Sequence, residues 1–242
     1  MKENSVTQSH PQSQHPAPDS PAGSARLGGR SLTSAVYERL RAEIIANRLP
    51  QGEKLPLAQF QEQFGVSLSV VREALSRLAA EGLVVAEAQR GFRVSPISKA
   101  DLIDVTRTRI AIEGLALQLA IAKGDSAWQA AVEQTYERMR NVMRATQRDQ
   151  WAEAHARFHR LLVAPCDSPW LLRFRDILFE QAERYRYAAI TGIRPPKQAE
   201  IDAQHRALVD AVLQRNPAKA QMAIDAHFTS SLERTLESLA PQ

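Results

Sequence analysis

The feature that most constrains this chain lies in residues 99–239. Apolar side chains there recur every three to four positions, and no alternating strand pattern intervenes. The period runs through DLIDVTRTRIAIEGLALQLAIA, WQAAVEQTYERMRNVM, QWAEAHARFHRLLV, WLLRFRDILFEQAERYRYAAI, EIDAQHRALVDAVLQ and KAQMAIDAHFTSSLERTLESL. Breaks at 124–125, 147–149, 167–169, 192–196 and 216–217 divide it into six helices, and their short connections predict an antiparallel bundle.

The first hundred residues follow a different grammar. Residues 1–30, rich in Pro, Ser, Gln and Gly, have little to bury and read as a disordered tail that also takes His10 and His15. From Ser31 the pattern becomes helical, with Val36, Leu40, Ile44 and Ile45 marking a helix over 33–47. Pro50, Gly52 and Pro56 end it. A short helix, AQFQEQF, stops at Gly65, and Ser67 or Ser69 is placed to cap the next one, SVVREALSRLAAEG. LVVAEA and FRVSPI, joined through QRG with Gly91 in the turn, read as a hairpin. Helix, helix, turn, helix, hairpin is the order of a winged helix-turn-helix. The fold class is therefore mainly α: a tail (1–30), a winged helix-turn-helix (31–97) and an all-helical domain (98–242).

Composition removes whole classes. A single cysteine, Cys166, cannot form an internal disulfide, which suits a reducing compartment. No apolar run approaches the roughly 20 residues of a membrane helix, and the first residues lack a signal-peptide core. The expectation is a cytoplasmic protein without membrane contact. A formal net charge of +4 permits an anionic partner without requiring one.

Duplex recognition needs a helix that enters the major groove with hydrogen-bonding side chains on its first turn. The third helix offers Ser67, Ser69 and Arg72 there, with Arg77 further along, while Val70, Val71, Ala74, Leu75 and Leu78 form its inner face. Arg90 and Gly91 stand at the hairpin tip, followed by Arg93. Composition favours the ordinary reading, a small module with solvated arginines: residues 31–97 hold 8 Lys+Arg against 7 Asp+Glu. The motifs G-E-K-L, F-G-V-S, V-R-E-A-L-x-x-L, E-G-L-V and R-G-F-x-V, in this order and spacing, resemble the DNA-binding domain of GntR-superfamily bacterial regulators. The resemblance implies operator-contacting roles for Ser67 and Arg72 and a wing tip at Arg90 and Gly91. It departs at Leu68, where a basic residue is usual, and at Gln59, where many relatives have Arg.

Four histidines lie in the helical half. His155 and His159 are i,i+4 and share a helix face. His205 and His227 stand eleven residues before and eleven after Asn216, which with Pro217 reads as the cap and first residue of the last helix. In an antiparallel hairpin both would lie about 16 Å from the turn. Four imidazoles brought to one point suit Zn²⁺, or with open positions Ni²⁺, Mn²⁺ or Fe²⁺; the ordinary alternative is four isolated helix residues. H-A-R-F-H lacks the general-base Glu of a metalloprotease, since Ala156 stands in its place. Arg109, in R-I-A-I-E, is half buried by its apolar neighbours. It reads either as an i,i+4 partner of Glu113 or as a fork for a ligand carboxylate.

This half is similar to the FCD effector domain of the FadR branch. The resemblance implies a divalent-metal site at His159, His205 and His227, with His155 where the family usually has Asp. It also implies an effector carboxylate beside the metal at Arg109, with Arg186 as a second anchor. W-x-x-x-H-x-x-F-H with E-R-Y-R downstream is similar to the glutarate-responsive repressors of the CsiR type. The expected protein is a homodimeric repressor of double-stranded operator DNA, controlled by a small carboxylate. A metal-responsive regulator without organic effector is the alternative. A metal-dependent enzyme is disfavoured, because no positioned general base accompanies the histidines.

Overall fold

A computed structural model describes residues 31–88, 90–144, 148–190 and 198–239. The expected tail, Gln89 of the hairpin turn, Gln147 and the break at 192–196 lie outside the described residues, whereas residues 148 and 149, expected within a break, already stand in a helix. Two apolar cores are present, one per expected domain.

The first core belongs to a winged helix-turn-helix built from α1 (Leu32–Ile45), β1 (Lys54–Leu55), α2 (Leu57–Phe64), α3 (Leu68–Ala80), β2 (Val84–Glu87) and β3 (Gly91–Val94). Ser31 caps α1 by accepting from the Ser34 amide, and the helix ends two residues earlier than its periodicity suggests, where Asn47 turns to φ 54°. Gly65, at φ 62°, closes α2 in the left-handed conformation. Between Gly65 and α3, Ser67 takes the cap. The sheet has order β1-β3-β2 and is antiparallel throughout, pairing Lys54 with Arg93 and Val85 with Arg93. Strand β1 is too short to leave a period in the sequence. Val71, Ala74, Leu75 and Leu78 are fully buried against Leu40, Ile44 and Leu55, leaving the opposite face of α3 to solvent.

The second core joins α4 (Lys99–Lys123), α5 (Ser126–Arg144), α6 (Arg148–Val163), α7 (Pro169–Ile190), α8 (Gln198–Leu213) and α9 (Pro217–Ser238), the six helices expected, with a short 3₁₀ turn at Ala164–Cys166. Asn216 caps α9 through the Lys219 amide with Pro217 at its first position, so α8 and α9 form the hairpin that the spacing implied. The α4–α5 corner is tight. A Cβ on Gly124 would lie 2.1 Å from Trp128, whose ring is buried and whose Nε1 donates to the Leu161 carbonyl at 2.9 Å. No helix among the described residues is long and apolar enough to cross a membrane.

Helix α7 presents two faces. One buries Arg175, Phe179 and Glu183 within the helical bundle. The other meets the winged module: Glu180 pairs with Arg41 of α1, Gln181 donates to the Glu81 carbonyl at 2.9 Å, and Arg184 donates to the Ser95 carbonyl. Burial raises the Glu180 carboxyl and Arg41 pulls it back. Next along, Tyr185 bonds Asp101 and receives the Ser98 amide at 3.3 Å, fixing the start of α4. That burial and the Asp101 bond push the phenol up to about 12.

Gly124→Ala is expected to lower stability by about 1–3 kcal/mol, because a buried indole held by its Nε1 bond to Leu161 cannot readily yield. Gly114→Ala, whose Cβ would meet the terminal amide of Gln221, a flexible side chain that can turn aside by giving up its bonds with Gln118 and Asp225, is expected to cost less, since Ala in a helix recovers about 0.5–1 kcal/mol. Urea unfolding midpoints of the two variants check the contrast.

Candidate metal centre and nucleic-acid interface

The histidines meet. Helix α6 supplies His155 and His159 one turn apart, α8 supplies His205 and α9 supplies His227. One ligand-competent atom from each lies within 4.8 Å of all the others, and all four residues are buried. Ring centroids of His205 and His227 are 4.4 Å apart, those of His155 and His159 4.5 Å. Trp151 stacks on His155 at 4.6 Å, while Phe158, Phe179 and Phe228 close the surround.

Burial is the first cause holding these imidazoles below their ordinary pKa, and His205 falls to about 4. For His155, His159 and His227 mutual repulsion adds to it, together with repulsion from Arg186, Arg175 and Arg109. The rings are therefore neutral, as metal ligands must be. Tautomers follow from partners. His205 Nδ1 donates to the Ile201 carbonyl at 2.8 Å and His227 Nδ1 to Gln204 Oε1 at 3.3 Å, leaving each Nε2 lone pair free toward the cluster. His159 Nε2 and His205 Nε2 stand 3.4 Å apart. Ligands 2.0–2.1 Å from a tetrahedral ion are separated by about 3.4 Å, so the donor set fits a divalent transition ion. Nδ1 of His155 and of His159 has no hydrogen-bond partner among the described residues.

Arg109 is buried and donates Nε to Glu113 Oε1 at 2.9 Å, with its guanidinium 4.0 Å over Phe228. The i,i+4 pair is thus present, and it lies against the ring beside His159 and His227. Arg186 is gripped by Glu183 through two bonds and lies 5.0 Å over Trp151. Sequence reasoning passed over Arg175 on α7, 1% exposed, which stacks on Phe179 at 4.4 Å. Its signal was there: in L-L-R-F-R-D-I-L-F, position 175 is i+4 from Leu171 and i−4 from Phe179, on the buried face.

In the DNA module, Ser67 and Ser69 share a hydrogen bond of 2.8 Å at the exposed start of α3, beside exposed Arg72. Arg90 is exposed at the hairpin tip, where Gly91 adopts φ 92°. Arg77 is placed elsewhere: its guanidinium stacks 4.0 Å over Tyr37, which bonds Glu81. Arg93 is also spent internally, on Glu87 and the Gly52 carbonyl. Arg39, Arg41 and Arg48 pair with acids. Within residues 31–97, the cations without a partner among the described residues are therefore Lys54, Arg72 and Arg90, on β1, near the start of α3 and at the hairpin tip. A near-neutral module thus keeps its unneutralised positive charge on these three elements.

Two family models match the chain: bacterial regulatory proteins of the gntR family over residues 32–94 and the FCD domain over 104–230. The HTH-type transcriptional regulator BphR of Paraburkholderia xenovorans (strain LB400) is 39% identical over 209 residues, covering 84% of each chain. The HTH-type transcriptional repressor GlaR of Escherichia coli (strain K12) is 31% identical over 210 residues, covering 84% of this chain and 96% of its own. Among solved structures, E. coli McbR/YncC superposes with TM-score 0.78 at 19% identity, over 87% of this chain and 100% of its own, which supports the fold. Motif order, bundle and family matches agree: the chain belongs to the GntR family of bacterial transcriptional regulators, with an FCD domain as its second half.

Proposed function

We propose that the protein is a homodimeric repressor whose affinity for operator DNA is set by a small carboxylate bound beside a divalent metal in the FCD domain. The observation that carries this reading is the buried cluster of neutral His155, His159, His205 and His227, whose ligand atoms lie within 4.8 Å of one another. These residues would hold the ion, zinc being the natural match to four imidazoles. The ion would supply a Lewis-acidic positive charge to an effector carboxylate. Arg109 orients that carboxylate from the Phe228 side, and the aromatic surround keeps water away. On the DNA side, two α3 helices of a dimer would enter successive major grooves of a pseudo-palindrome. Ser67, Ser69 and Arg72 face base edges and phosphates, with Arg90 and Gly91 in the wing. The name of the relative GlaR supports repression as the sign.

Linkage between the two sites runs through α7, which touches the cluster's surround with Phe179 and the DNA module with Glu180, Gln181 and Arg184. The effector shifts the DNA equilibrium only by its differential affinity for the two domain arrangements. A specific observation favours a second reading. Arg109 is already held by Glu113, which is what a regulator answering to the metal alone would show.

Arg72→Ala is expected to weaken binding to an operator selected from random duplexes by about 10- to 100-fold, with zinc content unchanged. Unchanged affinity by fluorescence anisotropy would remove α3 as the reading helix. Chelation, or His159→Ala, is expected to lower the thermal midpoint by several degrees, because an ion that binds only the folded state stabilises it by mass action. Glutarate and other C3–C6 acids should raise the midpoint of zinc-loaded protein only. Operator affinity that follows free zinc but ignores every acid would establish the metal-only reading.

A further inference from the structure

Three arginines, Arg109, Arg175 and Arg186, border the histidine cluster, and they differ in what they already hold. Arg109 spends its Nε on Glu113, and Arg186 is doubly bonded by Glu183. Arg175 is 1% exposed, yet only its Nη1 is hydrogen-bonded, to Asp176 Oδ1 at 2.9 Å. Its Nε and Nη2 have no hydrogen-bond partner, and the nearest carboxylate, Glu113 Oε2, stays 3.6 Å from Nε, outside hydrogen-bonding reach.

These two nitrogens form the side-on edge of the guanidinium, whose parallel N–H groups match the two oxygens of a carboxylate. Buried donors of a charged group left unpaired carry a penalty that a bound anion would remove. The edge is also near the centre: the Arg175 guanidinium lies 4.4 Å from the Phe179 ring, which is 6.1 Å from the His155 ring and 6.3 Å from that of His159.

We propose that Arg175 is the specificity-determining anchor of the effector site, taking the second carboxylate of a small aliphatic dicarboxylate whose first carboxylate lies at the histidine cluster. The assignment rests on the metal–carboxylate reading above and adds to it the residue that takes the second carboxylate. The competing role for Arg175 is a purely structural ion pair joining α7 to Glu113 of α4.

The test titrates zinc-loaded, full-length protein calorimetrically with succinate, glutarate and adipate. Each is set against the acid lacking one carboxylate: propionate, butyrate and valerate. The wild type is expected to bind its best diacid at least ten times more tightly than the matching monoacid. Arg175→Met is expected to erase that ratio while leaving monoacid affinity and zinc stoichiometry in place. Arg173→Met, on the exposed face of the same helix, should keep it. Should Arg175→Met fail to fold, Arg175→Lys, which keeps the charge but loses the fork, reads the same ratio and should compress it.

A retained diacid preference in the Arg175 variants overturns the proposal. So does an equal loss for mono- and diacids, which is the signature of a structural pair. Stoichiometric zinc uptake by a wild type that binds no acid at all would instead fail the underlying carboxylate reading, and Arg175's role with it.

Discussion

Desolvation of four imidazoles is the constraint around which the C-terminal half is arranged. A protonated ring in that position would face three like neighbours without water to screen it. The rings are consequently uncharged, and uncharged imidazoles are what a Lewis acid needs. The rest of the geometry serves this condition. The α8–α9 hairpin sets His205 and His227 at one depth, Ile201 and Gln204 turn their rings, and Trp151, Phe158, Phe179 and Phe228 exclude solvent. Glu113, buried between Arg109 and Arg175, keeps two cations tolerable in the same interior.

Much of this was legible in the sequence, for a geometric reason. Helical spacing converts directly into position, so His155 and His159 one turn apart, and His205 and His227 placed symmetrically about Asn216, could be brought together without coordinates. Strong local signals also placed the α3 cap at Ser67 or Ser69, of which Ser67 takes it, the left-handed stop at Gly65, Gly91 at the hairpin turn and Pro217 at the start of α9. What stayed hidden depends on side-chain partners far apart in the chain. Nothing local distinguishes Arg72, open to solvent, from Arg77, folded back onto Tyr37. Nor does RYRY reveal that Arg186 is held by Glu183 while Arg184 reaches the Ser95 carbonyl. Arg175 shares the buried face with Leu171 and Phe179, yet its spacing alone does not say which groups its guanidinium meets there.

The DNA module shows why net charge is a poor guide to anionic partners. Internal pairing consumes Arg39, Arg41, Arg48 and Arg93, and stacking takes Arg77. What a phosphate backbone would meet is the residue of that pairing, not the sum over residues. Arg41 is spent across the domain boundary, on Glu180 of α7, so electrostatics inside the DNA module and the seating of that module on the effector domain are one quantity.

Between β3 and α4 the chain spends only residues 95–98. Both ends of this span are held: the Ser95 amide bonds the Leu83 carbonyl, and the Ser98 side chain caps α4 through the Asp101 amide. Four residues reach at most about 14 Å when fully extended. The end of β3 and the start of α4 therefore stay close whatever holds the module against α7, so any rearrangement of the two domains is a rotation about this short span rather than a separation.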